Sequence, residues 1–151
     1  MYSGAEKVME KYADILFRIA YGYCNNREEA EDILQETIYR YLIKKPEFQD
    51  ENHEKAWLIR VIINISKNYV RSFWRKNIDP IENEIVSLDK EDLFVWDTIQ
   101  SLPDKYRIVI QLHYIEGYTI REIAGILEKK ESTIGTWLER AKKYLRQRWE
   151  D

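Results

Sequence analysis

Apolar residues recur at steps of three and four along almost the whole of this 151-residue chain. That spacing places them on one face of an α-helix, whereas a half-buried β-strand needs strict alternation, which no useful length of the sequence shows. Glycine and proline, which interrupt helices, number only five and three. The sequence therefore predicts an all-α fold.

The first part of the chain contains two predicted helices joined by a short connection. The first runs from about Glu6 to Tyr23. Asn26, with Glu29 three residues later, has the form of a capping box that starts the second helix. Pro46 forbids that helix from continuing. Its predicted inward face carries Ala30, Ile33, Leu34, Ile38, Tyr41 and Leu42.

A polar loop from Phe48 to His53 precedes a third helix, predicted from Glu54 to Lys76. Trp57 lies on its apolar stripe and is interpreted as a core residue. The last 17 residues of this helix include five basic and no acidic side chains, at steps that line one face suited to a phosphate backbone. The basic residues are Arg60, Lys67, Arg71, Arg75 and Lys76, and neighbouring amides able to read a base edge are Asn64 and Asn68.

Charge is distributed in blocks along the chain, which has a net charge of -3. Residues 77–95 lose the helical period and are strongly acidic, which is typical of a linker. The sequence therefore predicts two small helical domains, 1–76 and 96–151, joined by an acidic linker. The mildly acidic total does not argue against a polyanionic partner, because binding depends on local charge.

The second domain ends in a predicted helix-turn-helix. Gly117 suits the left-handed residue that ends the preceding helix. Thr119 and Glu122 fit a capping box that starts a short helix, Ile120 to Leu127, and Ser132 is predicted to cap the next helix. Residues predicted on the faces that the two helices share are Ile123, Ala124, Leu127, Ile134 and Leu138.

The second helix of such a motif enters the major groove of DNA, where its early exposed residues meet base edges. Arg140 is the candidate for a guanine, Glu139 for a cytosine amino group and Thr136 for a thymine methyl. The alternative is a solvated charged face, which many charge runs are. The candidate DNA-binding residues are Thr133, Thr136, Glu139, Arg140, Lys142, Lys143 and Arg146.

Longer motifs in both halves resemble one known family. In the second half, LPDKYR, GYTIREIAGIL, STI and RAKKYLR are similar to the promoter-recognising C-terminal domain of bacterial sigma factors. In the first half, EEAEDILQETIYRYL resembles the sigma helix that docks on RNA polymerase, and WLIRVIINISKNYVRSFWRK resembles the promoter-melting helix. Because no third domain lies between these parts, the chain resembles the extracytoplasmic-function (ECF) branch of the sigma-70 family.

The resemblance implies a non-catalytic specificity subunit that binds core RNA polymerase through its β′ and β subunits and recognises and melts promoter DNA. It also implies an anti-sigma factor as a partner. In the family, a polar helix face docks on a coiled coil of β′, a loop holds bases of the minus-ten element, and the helix-turn-helix binds the minus-thirty-five element. The matching docking residues are Asp32, Gln35, Glu36 and Arg40, and the matching loop residues are Gln49, Asp50, Glu51 and Asn52.

Three positions depart from the family pattern. Gly135 and Trp137 stand in the recognition helix where many relatives carry cations, and Asn68 replaces a frequent Asp. Either DNA approaches the backbone closely at Gly135, or minus-thirty-five binding is weaker and the basic tail from Arg140 compensates. We therefore expect much of the promoter selectivity to lie between Phe48 and Lys76.

The sequence offers little for an enzyme or a cofactor. Cys24, His53 and His113 are too few and too scattered for a metal-ligand motif, and no Gly-rich phosphate loop or nucleophilic triad is visible. We expect no cofactor and no small-molecule substrate. A lone cysteine and the absence of a long apolar run favour a cytoplasmic protein that does not span a membrane.

Two alternative functions remain open at this point. A sigma mimic would sequester an anti-sigma factor without touching DNA, and loss of both basic faces would favour it. A free-standing helix-turn-helix regulator would bind DNA as a dimer, and the docking helix and linker would then have no evident use.

Overall fold

The computed structural model describes the backbone of residues 3–44, 46–76 and 97–150, and the side chains of residues 6–44, 46–70 and 97–148. Over these residues all regular structure is helical and none is strand, which confirms the all-α prediction. They fall into two compact units, one on each side of the acidic segment. The predicted linker, 77–95, lies outside the described residues.

The first unit consists of three helices, and each packs against the other two. They are α1 (Ser3–Cys24), α2 (Arg27–Lys44) and α3 (Glu51–Lys76). Where the three apolar faces meet, large aliphatic side chains are removed from water, and this burial is the main force that holds the unit together. The largest fully buried side chains of this core are Leu16, Ile19, Ile33, Leu58, Ile59 and Ile62.

The helix cap predicted at Asn26 is present at the connection between α1 and α2. Asn25 is left-handed (φ 53°), and the Asn26 Oδ1 accepts a hydrogen bond of 3.0 Å from the backbone N–H of Glu29. The Tyr69 hydroxyl on α3 donates a hydrogen bond to the Glu29 carboxylate. Burial and the nearby charge of Asp32 raise the pKa of Glu29. The start of α2 is thereby capped locally and joined to α3.

The last turn of α2 contains more apolar surface than the core accommodates. Leu42, predicted to point inward, is 41% exposed, and Tyr39 and Ile43 are 58% and 59% exposed. The prediction for Leu42 was wrong because Phe48 packs on Tyr41 here, with ring centroids 6.2 Å apart, and so fills the inner side of this turn.

The second unit contains a helical turn at residues 97–100 and three helices, and α6 packs against α4 and α5. The helices are α4 (Asp104–Ile110), α5 (Ile120–Leu127) and α6 (Glu131–Glu150). A π-helical turn, Gln111–Ile115, continues α4 without a break, and the sequence did not predict it. This wider turn brings the end of the α4 segment to the loop before α5.

Local hydrogen bonds fix the turn between the π-helical segment and α5. The Glu116 N–H donates to the Gln111 carbonyl at 3.0 Å, and the Tyr118 N–H donates to the Leu112 carbonyl at 3.0 Å. Gly117 has a φ of 80°, the left-handed conformation predicted for it. The chain therefore reverses direction within a few residues and enters α5.

The boundaries of α5 and α6 were only partly predictable. The Thr119 Oγ1 accepts from the Glu122 N–H and the Glu122 Oε1 accepts from the Thr119 N–H, both at 3.1 Å, which confirms the capping box. A left-handed Glu128 (φ 57°) ends α5. Helix α6 begins at Glu131, so the predicted cap Ser132 lies inside its first turn.

The contact between α5 and α6 uses most of the predicted residues. Ile123, Ala124, Ile134 and Leu138 are buried as expected. Leu127 is only half-buried, whereas Ile126 is 4% exposed. The prediction was wrong at this turn because Ile126, three residues after Ile123, continues the buried face of a helix that ends immediately afterwards.

Candidate nucleic-acid interface

The predicted DNA-binding residues of the second unit all lie on α6, and its core side is occupied by Ile134, Leu138 and Ala141. At 100° per residue, Thr136 and Lys143 lie almost opposite that core side. Five of the seven candidates are exposed, and the other two are half-buried at its edges. The exposed ones are Thr136, Glu139, Arg140, Lys143 and Arg146, and the half-buried ones are Thr133 and Lys142.

Lys142 interacts with neighbours on one flank of α6. Its Nζ lies 3.7 Å from the Glu139 Oε1 and 5.9 Å from the centre of the Tyr114 ring. A hydrogen bond with Tyr114, followed by the charge interactions with Tyr114 and Glu139, raises the pKa of Lys142. The lysine therefore stays cationic beside an exposed carboxylate, and the flank has mixed charge.

Gly135 and Trp137, the two positions of the recognition helix that depart from the family pattern, have different surroundings. A Cβ added to Gly135 would have no heavy atom within 4 Å. Trp137 is half-buried, and the Nζ of Lys105 lies 5.7 Å from its ring centre and 5.2 Å from that of Tyr106. A cation from α4 is thus held near the aromatic ring of Trp137 by cation–π attraction.

The candidate residues of α3 differ in how fully the structure describes them. Asn64 and Asn68 are exposed, and Arg60 and Lys67 are half-buried and take part in interactions within the chain. The described part of the predicted basic face of α3 thus contains cations that interact with neighbouring residues and amides that are exposed to solvent. The side chains of Arg71, Arg75 and Lys76 lie outside the described ones, although their backbone continues α3.

The predicted loop before α3 is shorter than expected. Glu51 and Asn52 belong to the first turn of α3, because the Asp50 Oδ1 accepts a 2.8 Å hydrogen bond from the His53 N–H and caps the helix. The Gln49 N–H donates to the His53 Nδ1 at 3.2 Å. A cap with histidine at the third helical position is not among the usual signatures, so sequence reasoning missed it.

Two of the four loop candidates have structural contacts of their own. Asp50 is the cap, and the Glu51 Oε1 lies 2.8 Å from the Lys11 Nζ of α1. The hydrogen bond and the charge of Lys11 lower the pKa of Glu51. All four side chains are exposed, and those of Asp50 and Glu51 are already engaged within the unit. The geometry therefore leaves Gln49 and Asn52 as the better placed candidates for a base contact.

An aromatic cluster that the sequence analysis did not identify lies beside this loop. The Phe48 ring centre is 5.3 Å from that of His53 and 5.9 Å from that of Trp57. The ring centres of Trp57 and Tyr41 are 6.1 Å apart. Trp57 is half-buried and packs within this cluster, in keeping with its interpretation as a core residue. The spacing of four between His53 and Trp57 was the available signal.

The predicted docking residues of α2 share one exposed face. Asp32, Gln35, Glu36 and Arg40 are all exposed, and the Arg40 Nε lies 3.3 Å from the Glu36 Oε1. The exposed apolar residues of the last turn continue along the same helix. This apolar end was not predicted, because Leu42 was expected in the core. The surface of α2 is therefore polar with an apolar end.

Two family models match these two units. Sigma-70 region 2 matches residues 8–76, and Sigma-70, region 4 matches residues 95–145. The chain belongs to the sigma-70 family. The first match ends with α3, and the second covers α4, α5 and most of α6. The basic residues Arg146 and Arg148 extend beyond the matched part of the recognition helix.

Curated relatives place this sigma factor in the ECF branch, which functions in transcription initiation. RNA polymerase sigma factor SigV of Bacillus subtilis (strain 168) is 28% identical over 86% of this chain and 81% of its own. ECF RNA polymerase sigma factor SigW of the same organism is 27% identical over 95% of this chain and 88% of its own.

Solved structures of low sequence identity share the fold. The sigma factor RpoE of Bartonella quintana, in complex with the anti-sigma factor NepR, superposes with a TM-score of 0.73 at 21% identity, covering 97% of this chain and 96% of that one. CnrH, in complex with the cytosolic domain of CnrY, gives 0.77 at 19% identity, covering 99% and 90%. At these identities the likeness establishes the fold alone.

The described residues offer no site for a metal ion and no membrane-spanning helix. There, no group of three or more His, Cys, Asp or Glu side chains is arranged to hold a metal ion. Within the same ranges no helix is long and apolar enough to cross a membrane. Cys24 is buried, and burial raises its thiol pKa to about 11, so the thiol is neutral at physiological pH.

Proposed function

We propose that this ECF sigma factor directs core RNA polymerase to promoters through two DNA-binding surfaces, one on each unit. The observation that carries the proposal is a pair of helices, α3 and α6, that each bear clustered cations and lie in separately matched regions of the family. The first surface would bind and open the minus-ten element. The second would bind the minus-thirty-five element through the seven candidate residues of α6.

The polar face of α2 is proposed to bind the β′ subunit of core polymerase. Exposed carboxylates and an amide beside Arg40 suit hydrogen bonding with a coiled coil, whose surface is rich in charged groups. The exposed Tyr39, Leu42 and Ile43 support the proposal, because interfaces combine a polar rim with buried aromatic and aliphatic residues.

The loop and α3 are proposed to capture bases of the non-template strand as the promoter opens. Unstacking costs a few kcal/mol per base, so the protein must bind the separated strand better than the duplex. Gln49 and Asn52 are exposed beside the aromatic cluster, and the cations of α3 follow on the same helix. The function of Asp50 and Glu51 in this surface would be to fix the start of α3.

The proposed division of the chain is a polymerase-docking and minus-ten domain at 1–76, a linker at 77–95 and a minus-thirty-five domain at 96–151. With the two domains joined by an acidic linker, free protein would bind promoter DNA poorly, because polymerase would hold the domains at the required spacing. Such a protein is non-catalytic and acts in the cytoplasm.

A protein anti-sigma factor is a further proposed partner. Both solved structures with the same fold are complexes with another protein: the sigma factor RpoE is bound to the anti-sigma factor NepR, and CnrH is bound to the cytosolic domain of CnrY. The exposed apolar turn of α2 supports the proposal, because a contiguous exposed apolar patch is characteristic of a protein-binding surface.

Run-off transcription with purified core polymerase and a library of promoter sequences tests this function. We expect promoter-dependent transcripts that share two sequence elements at a fixed spacing. A protein that binds an anti-sigma partner yet produces no such transcript would instead be a sigma mimic. A protein that binds a palindromic site as a dimer without polymerase would be a free-standing regulator, since half-site symmetry mirrors protein symmetry.

A further inference from the structure

Gly135 has no packing function in the second unit. It lies in the interior of α6, where glycine destabilises a helix relative to alanine. Its φ is not in the left-handed region, and a Cβ placed there would have no heavy atom within 4 Å. Neither backbone conformation nor space inside the unit therefore requires glycine at this position.

Gly135 forms part of the wall of an open groove on the surface of the helix-turn-helix. The groove has a volume of about 500 Å³, and His113 and Ile120 line it together with residues of α6. The His113 Nδ1–H donates to the Tyr118 carbonyl at 2.8 Å, which fixes the ring at this edge. A side chain at position 135 would extend into this space.

The flank of α6 that carries Gly135 also carries cations. Lys142 lies seven residues after Gly135 and Arg146 four residues later, which places all three on one side of the helix. Glu139 is on the same side, but the Lys142 Nζ lies 3.7 Å from its Oε1 and partly compensates its charge. With two cations to one carboxylate, this mixed flank keeps a net positive charge beside an indentation, which suits a phosphate-bearing strand.

We propose that one DNA strand of the minus-thirty-five element places its sugar–phosphate backbone in this groove, against the bare helix backbone at Gly135. The inference rests on the proposed function of α6 as the minus-thirty-five helix. The missing side chain then allows a closer approach of DNA, and Lys142 and Arg146 bind phosphates further along the same strand.

The competing explanation is that Gly135 is simply a lost cation. Under that explanation, Gly135→Lys would restore a favourable charge and strengthen binding to the minus-thirty-five element. Under the proposal, the lysine side chain occupies space that DNA needs, and binding weakens in spite of the added charge. The two explanations thus predict opposite signs for one substitution.

A glycine elsewhere in the same motif provides a matched control. Gly125 is an exposed residue of α5, and a Cβ there would also have no heavy atom within 4 Å. Both Gly125→Ala and Gly135→Ala should raise the Tm of the full-length protein by a few degrees, because alanine restricts the unfolded chain. Only Gly135→Ala should change DNA binding.

The experiment uses the full-length variants with core polymerase and compares transcription from a library-selected promoter with its minus-thirty-five element intact or scrambled. We expect Gly135→Ala to reduce the dependence on that element on the order of tenfold, about the effect of one poorly matched base pair. We expect Gly135→Lys to reduce it at least as much, and Gly125→Ala to leave it unchanged.

Several results would overturn the proposal. Unchanged dependence in Gly135→Ala, or stronger dependence in Gly135→Lys, would show that DNA does not use the space. A loss confined to one base position, instead of a uniform loss across a panel of minus-thirty-five variants, would place a base and not the strand backbone at Gly135. Wild-type protein that transcribes without regard to the minus-thirty-five element would contradict the proposed function of α6 itself.

Discussion

The two candidate DNA helices differ in how their charge is arranged. From Arg60 to its end, α3 carries five basic and no acidic side chains. In α6, Glu131 and Glu139 accompany the cations, and the basic run begins only at Arg140. Uniform positive charge gives the second half of α3 a strong attraction for a phosphate strand, whereas in α6 that attraction comes mainly from the basic run that begins at Arg140.

The two helices are also positioned by different means. Helix α3 packs against two long helices, so its register is fixed by an extensive core. Helix α6 packs against two short neighbours, α4 and α5, and α5 starts at the Thr119 capping box and ends at a single left-handed residue. Substitutions that disturb a local helix start or end should therefore affect the position of α6 more than that of α3.

The largest effect is expected from removing two cations of α3. Arg71→Ala with Arg75→Ala should reduce open-complex formation on duplex promoters on the order of 100-fold, because two phosphate contacts are lost as the strand separates. On pre-melted promoters the loss should be smaller. Potassium permanganate footprinting measures opening on duplex promoters, and transcription from both templates measures how far pre-melting restores activity.

A matched control for that pair removes the same charge from other helices of the unit. Lys7→Ala with Arg27→Ala should leave opening unchanged, since both residues are exposed and belong to α1 and α2, not to α3. Equal impairment of duplex and pre-melted promoters by the α3 pair would contradict a melting role.

Arg140 tests whether α6 reads bases. Arg140→Ala should cost roughly 1–3 kcal/mol of binding free energy at one minus-thirty-five position. Arg140→Lys separates the two kinds of contact, because lysine replaces a phosphate contact but not a bidentate contact with guanine. Transcription from single-base promoter variants measures the effect. If Arg140→Ala weakens transcription equally on all variants and Arg140→Lys restores it, Arg140 is a phosphate contact.

The capping box tests how far α6 depends on its neighbour. Thr119→Ala should lower the stability of the second unit by about 1 kcal/mol, since a backbone N–H of α5 loses its acceptor. A domain of this size should then melt roughly 4–8 °C lower. Thr119→Ser keeps the hydroxyl and should retain most of the stability in thermal melts followed by circular dichroism. An equal loss in both variants would assign the effect to the threonine methyl group.

The smallest effect is expected from the exposed ion pair between Lys11 and Glu51, which joins α1 to the start of α3. Because Lys11 lowers the pKa of Glu51 in the folded state, the pair stabilises above the unfolded pKa of Glu51 and loses its effect as pH falls through the folded value. Lys11→Ala should therefore have a slightly lower free energy of unfolding than wild type in urea at pH 7. This difference in stability should vanish in acid. A difference that persists in acid would point to packing by the lysine stem.

Local sequence rules predicted the features that depend on a few neighbouring residues. The Asn26 cap, the left-handed Gly117 and the Thr119 capping box were all predicted, because each depends on backbone groups within four residues. The family motifs added the order of the two units. The choice between Ile126 and Leu127 was not predictable, since both fit a helical period and only the packing of α5 decides between them.

The sequence by itself determined that the chain is helical, that its charge is segregated and which helices carry cations, because periodicity and charge belong to the residues themselves. Tertiary structure decided which candidates remain available for DNA. Asp50 and Glu51 are engaged at the start of α3, Lys105 lies over Trp137, and Gly135 borders an open groove. Each of these contacts, except the Asp50 cap, joins residues distant along the chain, and only the packing of several helices brings such residues together.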